Sequence, residues 1–205
     1  MLIFMRSFNC IVWILNLFSK LCVIFIVVQA TSTYDGCSDE KQCFGYPEGC
    51  VNKSSCEMMA SLKLSKENTD VEITKSSIEK SEYIAMAFSD DKMMGKDLVF
   101  ACSPSWDQDD RCGVFWNKEG YKNEKLNDKK ELIEKLSVSE KDSLYTIKFS
   151  LPNQLTINEN KFDLEKGHYI LLSTGPVSEN NLTKHTKRIA STSMFGNKTN
   201  ADGNW

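Results

Sequence analysis

The chain has 205 residues but only two histidines, His168 and His185, and only four prolines. Two imidazoles are too few for the His-rich copper and zinc centres that take several ring nitrogens. Neither G-x-S-x-G nor H-E-x-x-H occurs, and Ser, His and Asp form no local arrangement of a hydrolase. Glycines are scattered, with no loop that would cradle a phosphate. Positive charge is not in excess: the formal net charge is −3, and Lys and Glu alternate as on a solvated surface. A phosphate backbone would find no basic field, so no nucleic-acid partner is expected. After residue 30 no apolar run approaches the length needed to cross a bilayer.

The first thirty residues have a different character. Arg6 precedes apolar runs at 10–15 and 21–28, and Val28-Gln29-Ala30 places small or branched residues before Thr31. This is a secretory signal pattern over residues 1–30, with cleavage expected before Thr31. An uncleaved signal anchor is the alternative, although Asn16, Ser19 and Lys20 interrupt the apolar stretch. Removing Arg6 and Lys20 leaves 23 basic and 28 acidic groups, a net charge of about −5. The remaining length suits one domain, placed at 35–195, followed by a polar tail at 196–205.

Six cysteines stay behind when Cys10 and Cys22 leave: Cys37, Cys43, Cys50, Cys56, Cys102 and Cys112. An even count behind an export signal reads as a disulfide framework. The first four lack a C-x-x-C pair, which argues against zinc. Six cysteines allow about fifteen pairings. Spacing favours one bridge, Cys102 to Cys112, closing the polar loop between them. Asn52, Asn181 and Asn197 each begin an N-x-[ST] glycosylation triplet, which agrees with an exported chain.

Short strands dominate the body. Residues 57–64 and 70–74 alternate, and 83–88 is a continuous apolar run expected to be buried on both faces. Residues 97–102, 113–116, 144–151, 168–172 and 188–195 are further strands. Residues 34–56 read as a stapled loop. Residues 127–139 are the one stretch with helical spacing, through Leu132, Ile133 and Leu136, with a polar connection as the alternative. Many short strands separated by turns predict an all-β, antiparallel β-sandwich with no second domain.

Residues 83–91, with Met94-Gly95, Asp97 and Val99, resemble the hallmark segment of DOMON domains. The cysteine-bearing lead-in Lys41-Gln42-Cys43-Phe44, with Pro47, Gly49 and Cys50, is similar to the extracellular DOMON domain of the ferric-chelate reductase 1 family. Residues 169–176, followed by Leu182 and His185, resemble its late strand and post-strand histidine. The resemblance covers roughly residues 35–195 and implies an immunoglobulin-like sandwich of about ten strands. Members of the family either bind haem b between a Met and a His, or carry no haem and bind sugars or proteins. The usual reelin-like and cytochrome b561 domains have no counterpart here, so an activity across a bilayer is not carried over.

The resemblance places the two axial ligands at Met94 and His185. Met93 is the rival of Met94, since neighbours in an extended chain point apart. His168 falls where the family has no ligand. A thioether and an imidazole on opposite faces of haem iron leave no open position and suit electron transfer. Phe88, Met86, Tyr169 and Leu171 are candidate walls. The bland alternative is a flexible Met in a turn and a surface His between Lys184 and Lys187. Asp90, Asp91 and Asp97 cluster without an EF-hand spacing, so calcium is not expected. The expectation is therefore a secreted haem b one-electron module without independent catalysis, whose partner is a redox protein or a ferric chelate. The alternative is a haem-free extracellular binding module for a protein or glycan.

Overall fold

Strands that alternate apolar and polar residues can bury one face against a second sheet. Here they form two sheets. The computed structural model describes residues 32–107, 111–119, 122–126, 132–157, 160–179 and 181–196. The expected leader at 1–30 and Asn197 lie outside the described residues, as does the tail beyond Gly196.

The first sheet contains β1 (Gln42–Tyr46), β2 (Met58–Leu64), β3 (Asn68–Ser76), β8 (Glu134–Lys141) and β9 (Leu144–Pro152), in the order β1-β2-β3-β9-β8. The second contains β4 (Glu82–Ser89), β5 (Asp97–Cys102), β6 (Cys112–Lys118), β7 (Lys122–Lys125), β12 (Tyr169–Ser178) and β13 (Asn181–Leu182). Its order is β13-β12-β4-β5-β6-β7, and β14 (Lys187–Ala190) also pairs with β12. A separate hairpin joins β10 (Gln154–Ile157) to β11 (Asn160–Asp163). These strand pairings are antiparallel, as expected for a β-sandwich. This body belongs to one unit, Gly36–Trp205. The described part of the other unit is a turn in which Ser32 N–H donates to Asp35 Oδ2 at 2.7 Å.

The two-residue period decides which side chains face inward. Ile84, Met86 and Phe88 of β4, Leu98 and Phe100 of β5, and Ile170 and Leu172 of β12 join the same core as Val71, Ile73, Ile147 and Phe149 of the first sheet. Phe100 packs on Phe149 with ring centroids 5.2 Å apart, and edge-on to Phe88 at 6.1 Å, so it ties the two sheets together. The odd positions of β4 and β5 point the other way. Tyr83, Ala85, Ala87, Val99 and Ala101 form a second apolar cluster with Phe115 and with Trp106 from the loop after β5. The run at 83–88 is thus buried on both faces, as its continuous apolarity predicts.

Three disulfides use the six expected cysteines: Cys37–Cys43, Cys50–Cys56 and Cys102–Cys112. The third joins residues that are direct partners across β5 and β6 and closes the polar loop. The first two staple the N-terminal segment, though the expected loop contains β1. Gly45 of β1 lies so close to the second bridge that a Cβ there would meet Cys56 Sγ at 2.6 Å. Among the described residues no helix is long and apolar enough to cross a membrane.

The helical reading of 127–139 is corrected. Residues 127–131 lie outside the described residues, and from Glu134 the chain is strand β8. Leu136, which a helix would have buried, is 44% exposed, while Val138 packs against the core. The open edge of β9 supplies hydrogen-bond partners that an isolated short helix lacks, and tertiary pairing overrides spacing.

Replacing Phe100, 1% exposed, with Ala should cost about 3–5 kcal/mol of stability, because its ring fills the contact between the sheets. Urea unfolding followed by tryptophan fluorescence checks this.

Candidate functional site

Antiparallel register lines up small side chains on the outer face of the second sheet. Leu171, Ala87, Val99 and Phe115 stand in one row across four strands, and Ser173, Ala85, Ala101 and Gly113 in the next. Because the middle of both rows is Ala or Val, the face is a shallow apolar trough. A cleft of about 1020 Å³ lies over it. That volume is at the upper end of the range of about 300–1,000 Å³ usual for small-molecule sites.

Met94 and His185 both line this cleft. Each is partly buried, and each sits on a loop whose neighbouring residues are held by hydrogen bonds. On the Met94 side, Met93 N–H donates to Asp91 Oδ1 at 2.6 Å and Gly95 N–H donates to Asp97 Oδ2 at 2.8 Å. Lys96 N–H donates to the Asn117 carbonyl at 2.7 Å. Asp97 is fully buried, and Asn117 Nδ2 also donates to it at 3.2 Å. Burial pushes the Asp97 carboxyl pKa up, with the Ser89 and Gly95 hydrogen bonds opposing. Asp97 Oδ1 and Asn117 Oδ1 are buried without hydrogen-bond partners among the described residues. Met93, the rival, also touches the cleft but is 65% exposed.

On the other side, Tyr83 Oη donates to the Thr183 carbonyl at 3.1 Å, and burial pushes the Tyr83 pKa up to about 12. Thr183 Oγ1 donates to the Pro176 carbonyl at 2.5 Å, and Thr186 N–H donates to the Thr174 carbonyl at 2.8 Å. Gly175 lies between these anchors. A Cβ added there would stand 2.8 Å from His185 Cα and 3.2 Å from the Tyr83 ring. Absence of that one atom lets the His185 segment lie on the sheet. Burial lowers the His185 pKa, and the charges of Arg188 and Lys184 lower it further, so the ring is neutral at pH 7.

The structure separates the remaining candidates. His168 is turned to the opposite face, between the Phe88 and Phe162 rings, with Nε2 3.1 Å from the Asp163 carbonyl. Its Nδ1 lies 3.2 Å from Asp90 Oδ1 but is poorly aligned for a hydrogen bond. Asp91 caps Met93 and Asp97 is buried beneath the turn, so the three acids do not converge. Among the described residues no group of three His, Cys, Asp or Glu is placed to hold a metal ion. One of the expected walls is corrected: Phe88 belongs to the inter-sheet core, where the pleat directs it, while Met86 joins that core and also lines the cleft. Leu171 does line the cleft, and Tyr169 carries Lys92 over its ring at 5.0 Å. Sequence reasoning missed the alanine floor, Gly175 and the Asp97–Asn117 support. The alternation of Ala with large residues in Tyr83-Ile84-Ala85-Met86-Ala87-Phe88 is the signal that marks the floor. Asn52 and Asn181 are both exposed.

A disulfide-stapled β-sandwich with a ligand-sized cleft on one outer sheet face is the class these features define. The DOMON domain family matches residues 54–175, and the chain belongs to that family. The match takes in Met94 and ends before His185. The chain is 26% identical over 162 residues to a putative ferric-chelate reductase 1 homolog of Drosophila melanogaster, covering 78% of this chain and 25% of that protein. It is 28% identical over 156 residues to the human DOMON domain-containing protein FRRS1L, covering 74% of this chain and 50% of that one. The chain thus spans between a quarter and half the length of these relatives.

Gly175→Ala should lift the His185 segment off β12 and cost about 1–3 kcal/mol. Amide hydrogen exchange should quicken at 184–186 and stay slow in β4 and β5.

Proposed function

We propose that this chain is an exported DOMON module that holds haem b between Met94 and His185 and relays single electrons. The observation that carries the reading is that these two residues, about ninety positions apart, line the same cleft over an apolar floor. Haem b held by a thioether and an imidazole supplies a one-electron couple with a raised potential. His185 offers a neutral imidazole lone pair, and its segment is fixed by Tyr83, Thr183 and Thr186. Met94 offers its sulfur from a turn fixed by Asp91 and Asp97. Ala85, Ala87, Val99 and Leu171 present no polar atom on their side chains and keep water from the floor. The donor set is soft sulfur plus imidazole over an apolar face, which fits haem better than a hydrated metal ion.

Export is supported by the three disulfides and by exposed Asn52 and Asn181, which would carry glycans there. The partner is a redox protein or a ferric chelate, a reading supported by the name of the Drosophila relative.

The visible spectrum of the mature chain purified with haem tests this. A low-spin reduced spectrum is expected, lost or converted to high-spin in Met94→Ala and in His185→Ala. Well-folded protein without a Soret band overturns it and leaves a haem-free module that binds a protein or glycan. The same spectrum should depend on acidity. His185 is neutral above its lowered pKa, so ligation is favoured at neutral pH and weakens as the pH falls through that lowered value. A pH titration of the Soret band reads this directly.

A further inference from the structure

Three cations line the cleft, Lys92, Lys184 and Arg188, and among the described residues no aspartate or glutamate does, although the chain as a whole is acidic. Elsewhere lysines find carboxylates: Lys63 with Glu40 at 3.1 Å, Lys75 with Glu82 at 3.4 Å, Lys118 with Glu124 at 2.6 Å. The contrast is sharpest on β14. Lys187 reaches Glu57 at 2.6 Å. Arg188, its neighbour, stands opposite Ser173 and so falls on the cleft face. Neither Arg188 nor Lys184 is in an ion pair among the described residues. The charges of both bear on His185, so both cations stand on its side of the cleft. From the β4–β5 turn, Lys92 donates to the Thr192 carbonyl at 3.1 Å and lies over the Tyr169 ring. Unpaired cations around an apolar cleft attract and orient anions.

We infer that the cleft selects an amphipathic anion, with a flat apolar body over the alanine floor and carboxylates directed to Lys184 and Arg188. The inference rests on the haem reading and adds what that reading leaves open: the carboxylates of the ring, and not only its iron, are recognised. Lys184 and Arg188 then determine specificity by charge, apart from any contact to the metal.

The test compares ferric protoporphyrin IX with its dimethyl ester, which keeps ring and iron and loses both charges. Binding to the mature chain is followed by the Soret shift. The free diacid should bind about tenfold or more tightly than the ester, with a preference that shrinks as salt is added. In the double variant Lys184→Gln, Arg188→Gln the preference should fall towards one while the ester binds as before, which also shows that the variant is folded. Equal affinity of the wild type for both compounds, or a preference that survives the double substitution, overturns the inference and leaves haem binding standing. Failure of both compounds to bind folded protein overturns the haem reading and this inference together.

Discussion

The close approach of the His185 backbone to Gly175 is the contact on which the site depends. Without it the segment after β13 would stand away from the sheet, and the cleft would lose one margin. The contact follows from chain order. β12 pairs with β4 over eight residues, from Tyr169 opposite Ser89 to Pro176 opposite Glu82. That register sets the Met94 turn beyond the Ser89 end and brings the His185 segment over the Tyr83 end. Six residue steps separate those ends, roughly 20 Å of strand. Both segments still border the same cleft. A shift of one residue in the pairing would send Ala85 and Ala87 inward and Met86 outward, filling the trough and opening the core.

The molecule gives up packing on one face to keep that trough. The inner face of β4 carries Ile84, Met86 and Phe88, and the outer face carries Tyr83, Ala85 and Ala87. Large residues at 85 and 87 would bury more apolar area in principle, but there would be no cleft. The compensation is at the ends. Trp106 and Phe115 close one side of the outer cluster, with ring centroids 5.9 Å apart, and the Cys102–Cys112 bridge anchors the loop that delivers Trp106. The five-stranded sheet behind makes the support rigid, so two short loops can be held at fixed positions by a few hydrogen bonds. Function on loops over a rigid scaffold is the usual division of labour.

Much of this was legible in the sequence, for identifiable reasons. Strand periodicity and turn residues specify the sandwich, since period-two burial leaves an unambiguous trace in Val71-Glu72-Ile73 and Tyr145-Thr146-Ile147-Lys148-Phe149. The even cysteine count specified a framework, and the Cys102–Cys112 pairing followed from the loop that it closes. The 127–139 segment misled because Leu132, Ile133 and Leu136 satisfy a helical spacing locally, while the deciding partner, the edge of β9, lies elsewhere in the chain. Phe88 does not wall the cleft, and the sequence could not say so because a run buried on both faces does not tell which parity faces which neighbour. Gly175 was visible as a strand-end glycine. Its actual role, admitting the backbone of residue 185, depends on a contact ten residues ahead that no local pattern encodes.

The charges around His185 serve two purposes through a single field. A cation beside an imidazole opposes its protonation, and Arg188 and Lys184 both act on His185 in this sense, adding to the larger effect of burial. The ring therefore keeps a free lone pair at neutral pH, where an exposed histidine with a carboxylate neighbour would be partly protonated. The same positive potential reaches into the cleft, which no acidic side chain lines among the described residues. An anionic ligand entering there relieves the repulsion among the cations. It would also raise the proton affinity of His185, unless that nitrogen is already committed to a metal. Ligand charge and imidazole availability are thus linked: a carboxylate-bearing ligand that did not engage His185 would favour its protonation, and one that did would compete with the proton for the same nitrogen.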